Sequence, residues 1–282
     1  MAYWVGGAEV AVVLGVDART HQRISAIMQR VLIVDPHAAS AKLLGELLRD
    51  IGTCQIWTAP DIPRGLALAD AVAPHLVFVD QSQELDGAAF ARAFRRGELA
   101  CRKAPIIMFC GQATATMIIN ARDAGVHEFL RKPFTIKDLL RRLEAVSVRP
   151  RDWVEGVGYV GPDRRRFNSG DYSGPLKRRV DYAVTPDAAR VEQSLKILKA
   201  ALAAVDADPR QAMRAMLAQV ESLRESGRAA ADPALRAAIV ALGHRLYQLG
   251  PANLRFADLE PLIRPLVELL PADSVAPRRP AA

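Results

Sequence analysis

Four residues with chemistry to offer stand at the ends of apolar runs: Asp35 after VLIV, Asp80 after LVFV, Cys110 closing PIIMFC, and Lys132 just beyond EFL. A carboxylate that a buried strand delivers to its carboxyl edge is usually there for chemistry, because ligands of open α/β sheets gather at that edge. Carboxylates can act as nucleophiles or hold a metal ion. A lysine beside them supplies a cation for an anionic group. One irregularity accompanies the set: the chain turns on Pro36 directly after Asp35.

Bringing four such residues to one rim requires parallel strands, and the sequence supplies them. From residue 31 the runs VLIV, CQIW, LVFVD, PIIMFC and EFL alternate with the helical periods SAKLLGELLRDIG, DIPRGLALADAV, GAAFARAFRRG, TATMIINARDAG and TIKDLLRRLEAV. Strands buried on both faces lose polar alternation, so the pattern predicts an α/β domain over residues 30–148, a doubly wound five-stranded parallel sheet. Residues 1–29 read as an N-terminal extension, since Met28 stands just before the first strong strand and AYWVGGAEVAVVLGV lacks a basic leader region.

The segments LVFVD, PIIMFCG and FLRKPF, in that order, resemble the receiver domain of two-component response regulators, with KPF the most specific element. The resemblance implies phosphoryl transfer from a histidine kinase or histidine phosphotransfer protein to Asp80, which would form an acyl phosphate. It implies that Lys132 and the residue at Cys110 bind the phosphoryl oxygens, that Asp35 and Asp80 hold Mg²⁺, and that Phe129 is an aromatic whose rotamer follows the state of the site. A cis Lys132–Pro133 peptide is also expected from it.

Departures from the family pattern bear on the metal and the phosphoryl group. Pro36 stands where the family has a second acid, so Mg²⁺ is expected to bind weakly or not at all. Cys110 replaces a hydroxyl residue, and a thiol is a weak donor. After Asp80 the sequence QSQELDG lacks the usual Met-Pro turn and reaches its Asp-Gly one residue early. Taken singly, Asp35 could cap the first helix and Lys132 could be a surface charge. Against that stands their coincidence, each falling after a strand in the order the family requires.

Residues 149–185 lose all periodicity and read as a basic Gly/Pro/Arg linker, with eight Lys or Arg against five acids between 149 and 182. GPDRRRF and GPLKRRV repeat within it, and Arg164, Arg165, Arg166, Arg178 and Arg179 could bind anions. Residues 186–272 return to helical spacing, with Asp-Pro helix starts, and predict an all-α module that binds a downstream protein partner; 273–282 read as a disordered tail. His244 there is loosely placed like the histidine of a phosphotransfer domain, but Tyr247 and Gln248 depart from that pattern.

The net charge of +7 admits anionic partners. No basic helix-turn-helix is visible, which argues against nucleic acid as the main partner. Three scattered cysteines and no long apolar span predict a cytoplasmic protein without membrane insertion, and no feature suggests an enzyme with its own small-molecule substrate. The alternative to a phosphorelay protein is a phosphorylation-independent pseudo-receiver that recognises a nucleotide such as cyclic-di-GMP, or nucleic acid, through its arginine-rich segment.

Overall fold

The computed structural model of the chain describes residues 17–164 and 186–270. The described residues form two compact units: 17–154 with 159–164, and 155–158 with 186–270. In the first unit β1 (Arg30–Val34), β2 (Gln55–Ala59), β3 (Leu76–Gln81), β4 (Ile106–Cys110) and β5 (Glu128–Arg131) build one sheet of order β2-β1-β3-β4-β5. Every pairing in it is parallel.

The two-residue strand period sorts the core into two halves. Leu32, Val34, Val77, Val79, Ile106 and Met108 face one side with Phe90 and Phe94. That side is covered by α3 (Ile62–Val72), α4 (Gly87–Arg96) and α5 (Ala115–Asp123). Val31, Ile33, Phe78, Ile107 and Phe109 face the other, under α1 (Ala18–Met28), α2 (Ala38–Ile51) and α6 (Ile136–Val148). Each fully buried side chain of this size contributes about 1.5–3 kcal/mol. Helix starts are local: Asp61, Asp86 and Thr135 accept backbone N–H bonds at the heads of α3, α4 and α6.

Two stretches differ from what the sequence suggests. Within the supposed extension, Asp17 caps α1 by accepting from Arg19 N and Thr20 N. Ile24 and Met28, four residues apart on one helix face, are buried with Leu139 and Leu143 of α6. Within the supposed linker, β6 (Trp153–Glu155) and β7 (Val160–Pro162) pair as a small sheet. The Arg95 and Arg102 guanidinium carbons lie 5.3 and 5.9 Å from the Trp153 ring centroid, and the Tyr159 hydroxyl donates to Pro162 O at 2.6 Å. Aromatic anchoring, rather than hydrophobic periodicity, orders these short strands.

Arg95 is a buried post. It donates to the carbonyls of Gly125, Arg102 and Ala104, and its Nη2 lies 3.1 Å from His127 Nδ1. Burial holds its pKa down to about 9. Burial, then Arg95 and Arg151, hold His127 well below the usual histidine range. Gly125, at φ +85°, lets β7 come close: a Cβ there would meet Val160 O at 2.5 Å.

The second unit packs α7 (Pro186–Ala203), α8 (Pro209–Arg224), the short α9 (Gly227–Ala231), α10 (Pro233–Leu249) and α11 (Phe256–Val267). Asp208 and Asp232 cap α8 and α10 ahead of proline, as the Asp-Pro pairs predict. Leu198, Met216, Leu223, Ile239, Leu242 and Ile263 form its core. Residues 155–158 belong to this unit: Gln211 Nε2 donates to Glu155 Oε1 at 2.8 Å, and Gln219 Nε2 to Glu155 O at 3.1 Å. His244 is exposed on α10.

Candidate functional site

The register of the sheet assembles the site. Val34 of β1 stands opposite Val79 of β3, so the next residues, Asp35 and Asp80, stand side by side at the carboxyl edge. Asp80 in turn pairs with Phe109, and Cys110 with Arg131, which brings Lys132 up beside the two acids. The Lys132 N–H donates to Cys110 O at 2.7 Å, and the Lys132–Pro133 peptide is cis.

Lys132 Nζ lies 2.8 Å from Asp80 Oδ1 and 3.4 Å from Asp35 Oδ2, and donates to Ser40 Oγ at 3.1 Å. It also stands 4.4 Å from the centre of the Phe109 ring, whose face attracts a cation. The two carboxylates are nearly sealed from solvent, with 0% and 3% of their side chains exposed. One ammonium serves both, which leaves a unit of negative charge in a poorly hydrated place. Asp35 does not cap α2 from the N-cap position, which His37 occupies; its Oδ1 instead accepts the His37 N–H at 2.8 Å.

Cys110 is fully buried and its thiol donates to Gln112 O at 3.2 Å. Burial, then the charge of Asp80, push its pKa up, so it remains a neutral thiol. Phe129 is buried in the same cluster as Cys110, Met108 and Ala121. The loop after Asp80 is tight: Ser82 N donates to Leu85 O at 3.1 Å, and a Cβ on Gly87 would meet Asp80 O at 2.3 Å.

Asp35, Asp80, Cys110 and Lys132 thus meet on one rim. Arg164 lies elsewhere, paired with Asp123 at 3.0 Å and set 4.4 Å over the Tyr159 ring. Arg165, Arg166, Arg178 and Arg179 lie outside the described residues. Sequence reasoning missed Ser40, Phe109, His37 and Glu84. Phe109 was legible as the strand partner of Asp80, whereas Ser40 meets Lys132 across 92 residues of chain and left no local signal.

A divalent cation fits this donor set, because two adjacent buried carboxylates have only one positive charge between them. Among the described residues no helix is long and apolar enough to cross a membrane.

Two acids and a lysine thus stand at the carboxyl edge of a wholly parallel α/β sheet. The family model described as the response regulator receiver domain matches residues 31–144. The chain is 33% identical over 118 residues to a probable chemotaxis protein CheY of Rhizobium etli, a match covering 42% of this chain and 91% of that protein. It is 32% identical over 147 residues to the transcriptional regulatory protein PdtaR of Mycobacterium tuberculosis, covering 51% and 69% respectively. A chemotaxis protein CheY of Pseudomonas aeruginosa is 28% identical over 121 residues, covering 43% and 97%. Through residues 31–144 the chain belongs to the response regulator receiver family of two-component signalling.

Proposed function

We propose that Asp80 accepts a phosphoryl group from a histidine kinase or a histidine phosphotransfer protein, and that the change is passed to a downstream protein partner. The observation that carries this is the ion pair of Lys132 Nζ with Asp80 Oδ1 at 2.8 Å on a buried strand end. In the transfer the P–N bond of the donor phosphohistidine breaks as a P–O bond to an Asp80 carboxylate oxygen forms. The donor imidazole leaves with the electron pair of the broken bond.

Lys132 is already fixed where the phosphoryl oxygens will arrive, so its charge needs little rearrangement to stabilise them. Cys110 lines the phosphoryl position with a weak donor, and Phe129 is the neighbouring aromatic whose packing changes with the state of the site. Asp35 and Asp80 are the residues that would hold Mg²⁺, bound weakly because Pro36 removes one acid. A bound dication supplies neutralisation of phosphoryl charge. The protein acts in the cytoplasm and has no substrate of its own beyond the phosphodonor. The pseudo-receiver alternative gains nothing from Arg164, whose guanidinium is taken up by Asp123 and Tyr159.

The test is intact mass after incubation with a small acyl phosphate and Mg²⁺, on the wild type and on Asp80→Asn. One added phosphoryl group on the wild type alone is expected. No addition to either protein would sink the proposal.

A further inference from the structure

Pro36 removes an acid from the rim, and the residue after it brings a different donor there. One ring nitrogen of His37 and one oxygen each of Asp35 and Asp80 lie within 4.8 Å of one another. The bond from His37 N to Asp35 Oδ1 at 2.8 Å holds the start of α2 against the site. On the imidazole, Nδ1 stands 3.6 Å from Asp35 Oδ1, while Nε2 stands 3.8 Å from Glu84 Oε1. A carboxylate hydrogen-bonded to the second ring nitrogen is the usual outer partner of a metal-bound histidine, because it fixes which nitrogen keeps its lone pair, and the exposed Glu84 is within reach of that role.

We propose that His37 is a metal ligand, and that Asp35, His37 and Asp80 together take a borderline first-row dication of the Fe²⁺, Co²⁺ or Zn²⁺ class. Magnesium is a hard ion that seeks near-octahedral oxygen ligands and gains little from imidazole. Imidazole suits the later first-row ions, and a mixed set of one nitrogen and two carboxylates tilts the site toward them. Tighter binding of a later ion is not diagnostic, since almost any site shows that order. The diagnostic quantity is how much of the difference depends on His37.

The inference rests on Asp35 and Asp80 being the cation-facing pair of the proposed function, but not on phosphorylation. The full chain is therefore titrated calorimetrically with Co²⁺ and with Mg²⁺, without phosphodonor. Asp80→Asn run in parallel identifies the heat that belongs to this site. The His37 side chain is 57% exposed, so His37→Ala removes no core contact.

His37→Ala is expected to weaken Asp80-dependent Co²⁺ binding at least about tenfold, the lower end of what losing even an outer partner of a metal ligand costs. Mg²⁺ binding should be unchanged. His37→Asp should restore an oxygen and raise Mg²⁺ affinity. Equal Co²⁺ affinity in wild type and His37→Ala would overturn the inference and leave the phosphoacceptor proposal standing. So would the absence of any Asp80-dependent metal binding, and in that case the metal part of the proposed function falls with it. Failure of mass labelling with His37-dependent Co²⁺ binding intact would instead remove phosphorylation and keep the metal site.

Discussion

His127 is buried and neutral, with the Arg95 guanidinium directed at its ring, and this makes the stability of the first unit respond to pH. Its folded pKa lies well below the ordinary 6.5, first through burial and then through Arg95 and Arg151. As pH falls below about 6.5 the unfolded chain takes up a proton that the folded chain refuses, so stability is lost from there downward toward the folded pKa. The limiting slope is about 1.4 kcal/mol per pH unit. Asp123 and Asp138, whose pKa values are lowered below 3.8, act only at far lower pH. His75 shifts in the same direction as His127 but is less buried and contributes less. Denaturant unfolding at pH 7.5, 6.5 and 5.5 should show the wild type losing on the order of 1 kcal/mol across the last step. His127→Gln should be much flatter; parallel curves for the two proteins would refute the account.

At the scale of elements, α1 belongs to the first unit rather than to an appendage. The double variant Ile24→Ala/Met28→Ala removes the two buried side chains that α1 packs with Leu139 and Leu143. It should cost about 2–5 kcal/mol for each of those two side chains, seen as a lower midpoint in thermal unfolding; a midpoint equal to that of the wild type would contradict the packing. β1, β3 and β4 were legible because each holds an unbroken apolar run, β2 (QIWTA) and β5 (EFLR) from their place between helical periods, and the chemistry at the strand ends was legible because it follows those runs closely. Helix α1 was hidden by the longer apolar run before it. Strands β6 and β7 were hidden because three residues are too few for a period, and what orders them is aromatic contact. Pro36 was legible as a departure from the family pattern, but the approach of the His37 ring to Asp35 was not, because a turn decides where that imidazole ends.

For the whole molecule, chain order and compact unit part company at residues 155–158, the last residue of β6 and the three after it, which lie within the helical unit. There Glu155 is only 5% exposed and accepts from Gln211. Glu155→Ala would leave Gln211 Nε2 with Gly156 O alone at 3.1 Å. The loss should be on the order of 1–3 kcal/mol, confined to the helical unit. Amide hydrogen exchange on the full chain should show weaker protection in α8 with protection in β3 unchanged; an equal loss in both would show that the two units unfold together. Gly87 carries a consequence of another kind. Since any side chain there runs into the carbonyl of Asp80, a saturation library of this chain should be intolerant at position 87 whatever the replacement, while the exposed position 37 accepts many. Read by abundance, such a library outlines the scaffold at 87; read by Co²⁺ occupancy, it would light up 37 alone of the two as a position where a folded protein loses a ligand.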